Sequence, residues 1–361
     1  MRLIRGTFGD RRLLALGAAA LLAVACAAPA PSASQPAPAA PSAPASAPSG
    51  AAASSGSSAS ATAPQPRQHL RISYGATVGV HVPIVAADRL GEWESQGLDV
   101  EVQRIATATS ISALLAGELD LVQVSAPALV SANVGGNADL VFIAGALDRF
   151  IIGMWAMPDI RMADDLRGKA VGSDRPGTPV AYATGLALHR LGLTLNDVQV
   201  LPVGSEGMVP GMESGQLQTG SMTLPDSLMA QRFGAHLLVP LYDQPYQNIG
   251  LILRRGDLDR LGPALPGLLR VYRQAIERYL QDPRWGKEAL GALLNTNDDE
   301  MLQATYDFFA KTVPFTPSLR VSREGLQAVV DSLKDTLPAA ATANVDSFYD
   351  HRFVDQLDRG Q

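Results

Sequence analysis

Two hydroxyl residues, Ser125 and Thr223, occupy matching positions in two similar stretches of the chain, Ala113–Pro127 and Gly211–Pro225. Each stretch indicates a helix that ends at a glycine, a short strand, and then a hydroxyl residue two positions before a proline. Ligands of open α/β sheets bind beyond the carboxyl ends of the strands. The two hydroxyls are therefore predicted to hydrogen-bond one ligand from opposite walls of a cleft. The alternative is two ordinary helix–turn–strand units.

Other polar side chains fall at predicted strand ends and helix starts. His81, in the first strand–helix loop, either donates to a ligand or is simply solvated. Arg149 pairs with an anionic ligand, with the adjacent Asp148, or with a partner across the cleft. Thr178 lies where a helix opens, and exposed N–H groups there favour an anion or a polar group, although an ordinary helix start explains it equally well. The predicted ligand-binding residues are Thr77, His81, Ser110, Ser125, Arg149, Thr178, Thr223, Asp226 and Gln247.

The charge of the ligand stays open at the level of sequence. The hydroxyl side chains and the helix starts suit an oxyanion such as a sulfonate or a carboxylate. Three acidic residues, Asp148, Asp174 and Asp226, favour an amine or a polyhydroxyl compound instead.

The sequence shows no pattern typical of catalysis or of metal binding. The five histidines are scattered, and the single cysteine, Cys26, excludes a zinc site built from cysteines. A phosphate-binding loop, a dinucleotide fingerprint and a nucleophile elbow are all missing. We therefore predict no catalytic residue, no metal and no cofactor. The net charge of −6, with no basic cluster, also argues against nucleic acid as a partner.

The N-terminal residues indicate export. Four arginines precede an apolar run from Leu13 to Ala25, which predicts a signal peptide over residues 1–25. The run ends in small residues before Cys26 and resembles a bacterial lipobox, in which the cysteine is lipidated; the alternative is a chance cysteine beside an ordinary cleavage site. Residues 27–66 are almost entirely Ala, Pro and Ser, which predicts a disordered tether. Together these features predict an extracytoplasmic protein, anchored to the membrane by lipid.

The folded part is predicted to run from Arg67 to Gln361. Short alternating apolar segments and helical segments follow one another up to Ala144, and this order predicts a mostly parallel sheet. A similar series follows from about Trp155. From Leu258 onward the pattern is helical, with predicted helices at Leu265–Leu280, Trp285–Leu294, Glu300–Phe309, Ser322–Leu337 and Val345–Phe353.

Four segments in order carry a family resemblance: Gly91–Val102, Ile111–Ser125, Ala163–Gly172 and Ala187–Val200. Together they resemble the nitrate/sulfonate/taurine-type substrate-binding proteins of ABC importers. The resemblance implies an α/β, two-lobed, type II periplasmic-binding-protein fold, with each lobe a mostly parallel sheet flanked by helices. It implies that residues 67–154 and 248–361 form the first lobe, that 155–247 form the second, and that two crossover segments join them. A monomer that delivers a small solute to an ABC permease is the function this fold implies.

Two other functions share the fold. Some relatives are enzymes that make a pyrimidine precursor and need a cofactor-bearing lysine in the first lobe, or are proteins that bind such a precursor. None of the four lysines here, Lys169, Lys287, Lys311 and Lys334, lies in a predicted cleft loop of the first lobe. An effector domain of a transcription regulator is disfavoured by the signal peptide and by the lack of a helix-turn-helix before residue 67. We therefore predict a binding protein and not an enzyme.

Overall fold

The computed structural model describes residues 67–176 and 178–360. The predicted signal peptide, Cys26 and the tether through residue 66 lie outside the described residues. Within the described ranges, no helix is long and apolar enough to cross a bilayer.

The first sheet consists of β1 (Gln68–Tyr74), β2 (Leu98–Arg104), β3 (Leu121–Ser125), β4 (Leu140–Arg149) and β10 (Pro245–Arg254). The strands lie in the order β2-β1-β3-β10-β4. β1 pairs in parallel with β2 and β3, whereas β10 runs antiparallel to β3 and β4. Parallel neighbours need a crossover, usually a helix, and the alternation of strands and helices in this part of the sequence supplies it.

The second sheet repeats this arrangement with β5 (Gly153–Ala156), β6 (Ala170–Ser173), β7 (Gln199–Pro202), β8 (Thr219–Met222) and β9 (His236–Pro240). Its order is β7-β6-β8-β5-β9, and β5 is its antiparallel strand. β8 therefore occupies the same place in the second sheet that β3 occupies in the first. The two similar stretches of sequence correspond to equivalent units of two lobes, and the predicted two-lobed α/β fold is confirmed.

The chain passes between the sheets twice, at residues 150–152 and 241–244. The boundaries predicted from the sequence lay at 154/155 and 247/248. The difference has a physical cause at each crossing. Gly153 and Met154 already pair with β8, so they belong to the second sheet, and Pro245 already pairs with Arg149 of β4 in the first. Trp155, which was predicted at the start of the second lobe, is one of the strand residues of β5.

Helices flank the two sheets. They are α1 (Val82–Leu90), α2 (Thr107–Ala116), α3 (Ala126–Gly136), α4 (Ala163–Leu166), α5 (Pro179–Arg190), α6 (Gly204–Glu213), α7 (Asp226–Gln231), α8 (Leu258–Leu261), α9 (Leu265–Gln281), α10 (Pro283–Leu294), α11 (Asp299–Asp307), α12 (Arg323–Leu333) and α13 (Arg352–Asp358). The single helix predicted over Val345–Phe353 is wrong. A 3₁₀ turn at Val345–Phe348 and α13 flank an extended Tyr349, which bridges to Phe142 of β4 and so extends the edge of the first sheet.

An apolar core continues through the crossovers from one lobe into the other. Phe150 and Tyr246 are buried there, with ring centroids 4.6 Å apart, and Phe150 meets the edge of Tyr182 from α5 at 5.9 Å. At its N-terminal end, α12 packs closely on this region. A side chain at Gly325 would place its Cβ 2.5 Å from the backbone nitrogen of Gln247 in β10. Burial of this shared core ties the two lobes together at the crossovers.

Candidate ligand-binding cleft

Loops after β1 and β8 enclose a cavity of about 220 Å³ between the lobes. The first lobe contributes Thr77–Gly79, and the second contributes Leu224 and Pro225. The rest of the wall comes from the C-terminal helices of the first lobe: Leu294, Thr296, Met301 and Thr305. Of the predicted site residues, Thr77 lines this cavity directly, and Thr223 and Asp226 flank the two residues of the second lobe that do.

Thr223 follows β8 and its hydroxyl has an unusual environment. The Oγ1 atom is buried and has no hydrogen-bond partner. An unpaired buried hydroxyl costs free energy, so it is a group that a ligand or a change in lobe position can satisfy. Two residues beyond Leu224, Asp226 begins α7, and partial burial raises the pKa of its carboxyl group above the usual range.

His81 ends the 3₁₀ turn Gly79–His81, which follows β1, and is held by a buried polar network. The Gln123 side-chain amide donates to the carbonyl oxygen of His81 at 3.1 Å and lies 3.3 Å from Nδ1, while the Tyr272 hydroxyl donates to the same amide at 2.6 Å. Because a carbonyl oxygen only accepts, the amide nitrogen must face His81, so Nδ1 accepts and the ring proton sits on Nε2. Burial lowers the pKa of His81 to about 4, so the ring is neutral at physiological pH.

The Nε2 atom of His81 is directed toward Gly75, at the end of β1. A Cβ at Gly75 would lie 3.7 Å from that nitrogen and only 2.2 Å from Oγ1 of Thr107, so the loop needs glycine for this close approach. The His81 ring thus presents a neutral N–H donor at the end of β1.

Three of the predicted site residues use their polar groups within the protein. Ser110 is fully buried, accepts from Ser73 and donates to Ile105. Gln247 is also fully buried: its amide donates within the first sheet and accepts from the backbone N–H of Ser322.

Thr178 caps α5, accepting from Ala181 and donating to Arg175. It lines a second cavity between the lobes, of about 420 Å³.

Ser125 and Arg149 end strands of the first sheet and line neither cavity. Ser125 is the N-cap residue of α3 and makes no side-chain cap bond, so its hydroxyl is uncommitted. Arg149 is half-buried, and no carboxylate of the described residues lies within ion-pair distance of its guanidinium. Neither side chain makes a hydrogen bond or an ion pair with another of the described residues, although Arg149 helps to lower the pKa of the Asp243 carboxyl group.

Known proteins of the same architecture share this arrangement of two lobes. The aliphatic sulphonate binding protein SsuA from Escherichia coli superposes with a TM-score of 0.63 over 78% of this chain and 91% of its own, at 15% sequence identity. A sulfonate-binding protein SsuA from Methylobacillus flagellatus gives a TM-score of 0.65 over 82% and 95%, also at 15% identity. The fold is that of the periplasmic binding proteins. The same fold occurs in the desulfurization enzyme DSZB, with a TM-score of 0.60 over 82% of this chain and all of its own, at 17% identity.

Sequence comparison gives the same result for the first part of this periplasmic-binding-protein fold. Residues 63–236 match the NMT1-like family. A protein named "Putative binding protein" from Brucella abortus (strain 2308) is 29% identical over 160 residues, which is 43% of this chain and 48% of the relative. The match thus spans about half the length of the curated relative. These findings confirm the resemblance to the nitrate/sulfonate/taurine-type substrate-binding proteins.

The C-terminal helices supply cavity residues that the sequence reasoning missed. Leu294, Thr296, Met301 and Thr305 come from α10, α11 and the turn between them, a region predicted to form only core faces. In the sequence, only Asn295 and Asp298 indicate a turn here, because they are typical of the end of one helix and the start of the next. Nothing local in the sequence indicates that this turn faces a loop more than 200 residues earlier in the chain.

One ion pair joins the lobes beside the cavity. Arg232, at the end of α7, lies 3.1 Å from Glu300, next to Met301 of the cavity wall. Both side chains are more than half exposed, so solvent and salt screen the pair. The arrangement can still favour the position of the lobes in which the cavity is enclosed.

Proposed function

We propose that the protein is an extracytoplasmic solute-binding receptor that captures a small organic molecule between its lobes and delivers it to an ABC importer in the membrane. The observation that carries the proposal is the cavity between Thr77–Gly79 and Leu224–Pro225, whose walls come from both lobes. Sites of this kind, concave, mostly apolar and with a few polar groups, are typical of small-molecule binding. The resemblance to substrate-binding proteins supports the same function.

Capture works by closure of the two lobes. Only residues 150–152 and 241–244 pass between the sheets, so a change in their dihedral angles is enough to move one lobe against the other. A ligand that touches both walls has more contacts in the closed form, and this difference in affinity shifts the population toward closure. Thr77, Ser125, Thr223, Asp226 and the Nε2 proton of His81 are the polar groups we assign to the closed site. Arg149 does not line the cavity, and we assign it to the cleft outside it.

Ser110, Thr178 and Gln247 have a different role in this proposal. Their side chains already make hydrogen bonds within the protein, so we assign them to support of the cleft loops. Exchange of such bonds for ligand contacts would leave buried partners unsatisfied, which costs about 1–3 kcal/mol for each group.

Location follows from the N-terminal sequence in this proposal. Lipidation of Cys26 would anchor the protein, and the Ala/Pro/Ser segment after it would tether the receptor near its importer. One acyl chain gives only marginal binding to a bilayer, and stable anchoring needs two signals, such as dual acylation. We propose a binding protein rather than an enzyme. The cavity wall consists of hydroxyl and apolar groups, and none of the four lysines, which could carry a cofactor in the related enzymes, lines it.

X-ray scattering tests the proposal. A thermal-shift screen of small anions, amines and heterocycles identifies the compound that raises the melting temperature most, since binding to the native state stabilises it by mass action. Titration of that compound is expected to lower the radius of gyration at the same concentrations at which calorimetry records binding. The compound should be recovered chemically unchanged. Tight binding without compaction would contradict capture by closure, and turnover of the compound would identify an enzyme.

A further inference from the structure

The lining of the interlobe cavity has no charged side chain, which bears on the chemical class of the solute. Five lining residues are apolar, three are threonines and one is glycine. An anion that enters this space loses water and meets no ammonium or guanidinium group among the lining residues. Burial of a charge without a partner is strongly unfavourable.

The ionised residues next to the lining residues in the sequence are acidic. Every ionised residue within two positions of a lining residue is an aspartate or a glutamate: Asp226, Asp298, Asp299, Glu300 and Asp307. Three of them form ion pairs, with Arg232, Lys287 and Lys311, whereas Asp226 has no cationic partner among the described residues and Asp298 is used to cap α11. His81, the one histidine this close to the lining, is neutral. The charge that is left without a cationic partner beside the lining is therefore negative, which disfavours an anion.

The three threonines offer a balanced set of hydrogen-bonding groups. Thr77 is exposed and its side chain makes no hydrogen bond with any of the described residues, so it can donate and accept. Thr296 accepts from the N–H of Asp298, which leaves its proton free, whereas Thr305 donates to Met301, which leaves a lone pair free. An oxyanion can only accept. A neutral group that both donates and accepts uses all three hydroxyls.

We propose that the solute is an uncharged small molecule with a largely apolar body and a polar group that both donates and accepts, such as an amide, an alcohol or a ring nitrogen beside an N–H. The inference rests on the proposed function, because it takes this cavity as the solute site. The volume of 220 Å³ limits the molecule to the space of about seven waters.

Calorimetry of the purified full chain tests the inference with matched probes, benzamide against benzoate and butanesulfonamide against butanesulfonate. Within each pair the size and the apolar body are alike, and only the charge differs. We expect the amide to bind at least roughly ten-fold more tightly than the anion, which corresponds to about 1.4 kcal/mol. Thr77→Val should reduce the affinity for the amides several-fold without a change in melting temperature.

A charge-reversal variant makes the test sharper. Met301→Lys places an ammonium group at the cavity wall and should raise the affinity for both anions while it lowers that for the amides. Met162→Lys is the matched control, because Met162 is 60% exposed in the second lobe and does not line the cavity. The control should leave both affinities unchanged.

The outcomes separate the inference from the proposed function. Anions that bind the unchanged protein as tightly as the amides, with compaction, overturn the uncharged solute but leave capture by closure intact. A Met301→Lys variant that responds no differently from Met162→Lys also overturns the inference, since the cavity is then not the solute site. Amides that bind without compaction overturn the proposed function itself.

Discussion

Protonation of His81 should destabilise the fold, and its burial fixes both the direction and the size of the effect. The side chain is 7% exposed, and burial lowers the pKa from 6.5 to about 4. Between these two values the unfolded chain binds the proton more readily than the folded one. The contribution to stability is therefore complete above about pH 6.5 and is lost as the pH falls toward 4.

The magnitude follows from the two pKa values. At pH 5 the linkage relation gives a loss of about 2 kcal/mol relative to pH 7.5, within a limit of roughly 3 kcal/mol for the whole shift. Such a loss is a large fraction of the typical stability of a domain. His81→Asn removes the titration and keeps an acceptor near the position of Nδ1, so Gln123 can retain its hydrogen bond.

Urea unfolding at pH 7.5 and pH 5 measures the effect. The free energy of unfolding, extrapolated to water, should fall by about 2 kcal/mol more in the unchanged protein than in His81→Asn. His189→Asn, at an exposed position on α5, is the control and should follow the unchanged protein. Equal pH dependence in the unchanged protein and His81→Asn would mean that His81 accepts a proton without cost, and that the neutral donor assigned to the cleft is wrong.

Further changes test the hydroxyl, the ion pair, the close packing and the anchor. Thr223→Val should weaken solute binding by about 0.5–1.5 kcal/mol in calorimetry, with no loss of melting temperature, because its hydroxyl has no partner to lose. Glu300→Gln should weaken binding by about 0.2–1 kcal/mol and reduce its salt dependence, whereas Glu288→Gln, which breaks pairs within one lobe, should do neither. Gly325→Ala should lower the unfolding free energy by about 1–3 kcal/mol, because its Cβ would meet backbone of β10. Cys26→Ser should release the protein from membranes in fractionation; a processed, membrane-bound mutant would contradict lipidation.

Local sequence rules predicted the two equivalent helix–strand units, whereas the family resemblance implied how they are arranged in two lobes. Glycine caps, apolar alternation and proline breaks lie close together in the chain, and they placed Ser125 and Thr223 at the ends of equivalent strands. The same rules shifted the lobe boundary by a few residues at Trp155, because pairing with a distant strand decides where a strand begins. The failed helix near Tyr349 has the same cause, since its backbone pairs with β4.

These rules do not predict which polar side chains are already hydrogen-bonded within the protein. Ser110 and Gln247 have residue types and positions that suit a ligand, yet each is satisfied by a group far away in the chain. The place of Met301 in the cavity wall also depends on residues that are far away in the sequence. A sequence pattern predicts which face of an element is buried, but not which partner a buried hydroxyl or amide will find there.

The position of β10 sets an order of events for chain folding. This strand lies between β3 and β4 in the first sheet, yet it follows the whole second lobe in the sequence. β3 cannot acquire its neighbour on that side until synthesis has passed Arg254, whereas every strand of the second sheet is complete by Pro240. Contacts of such long sequence separation form slowly because a large loop must close first. The second lobe can thus fold on the growing chain while the first remains an open, unfinished sheet.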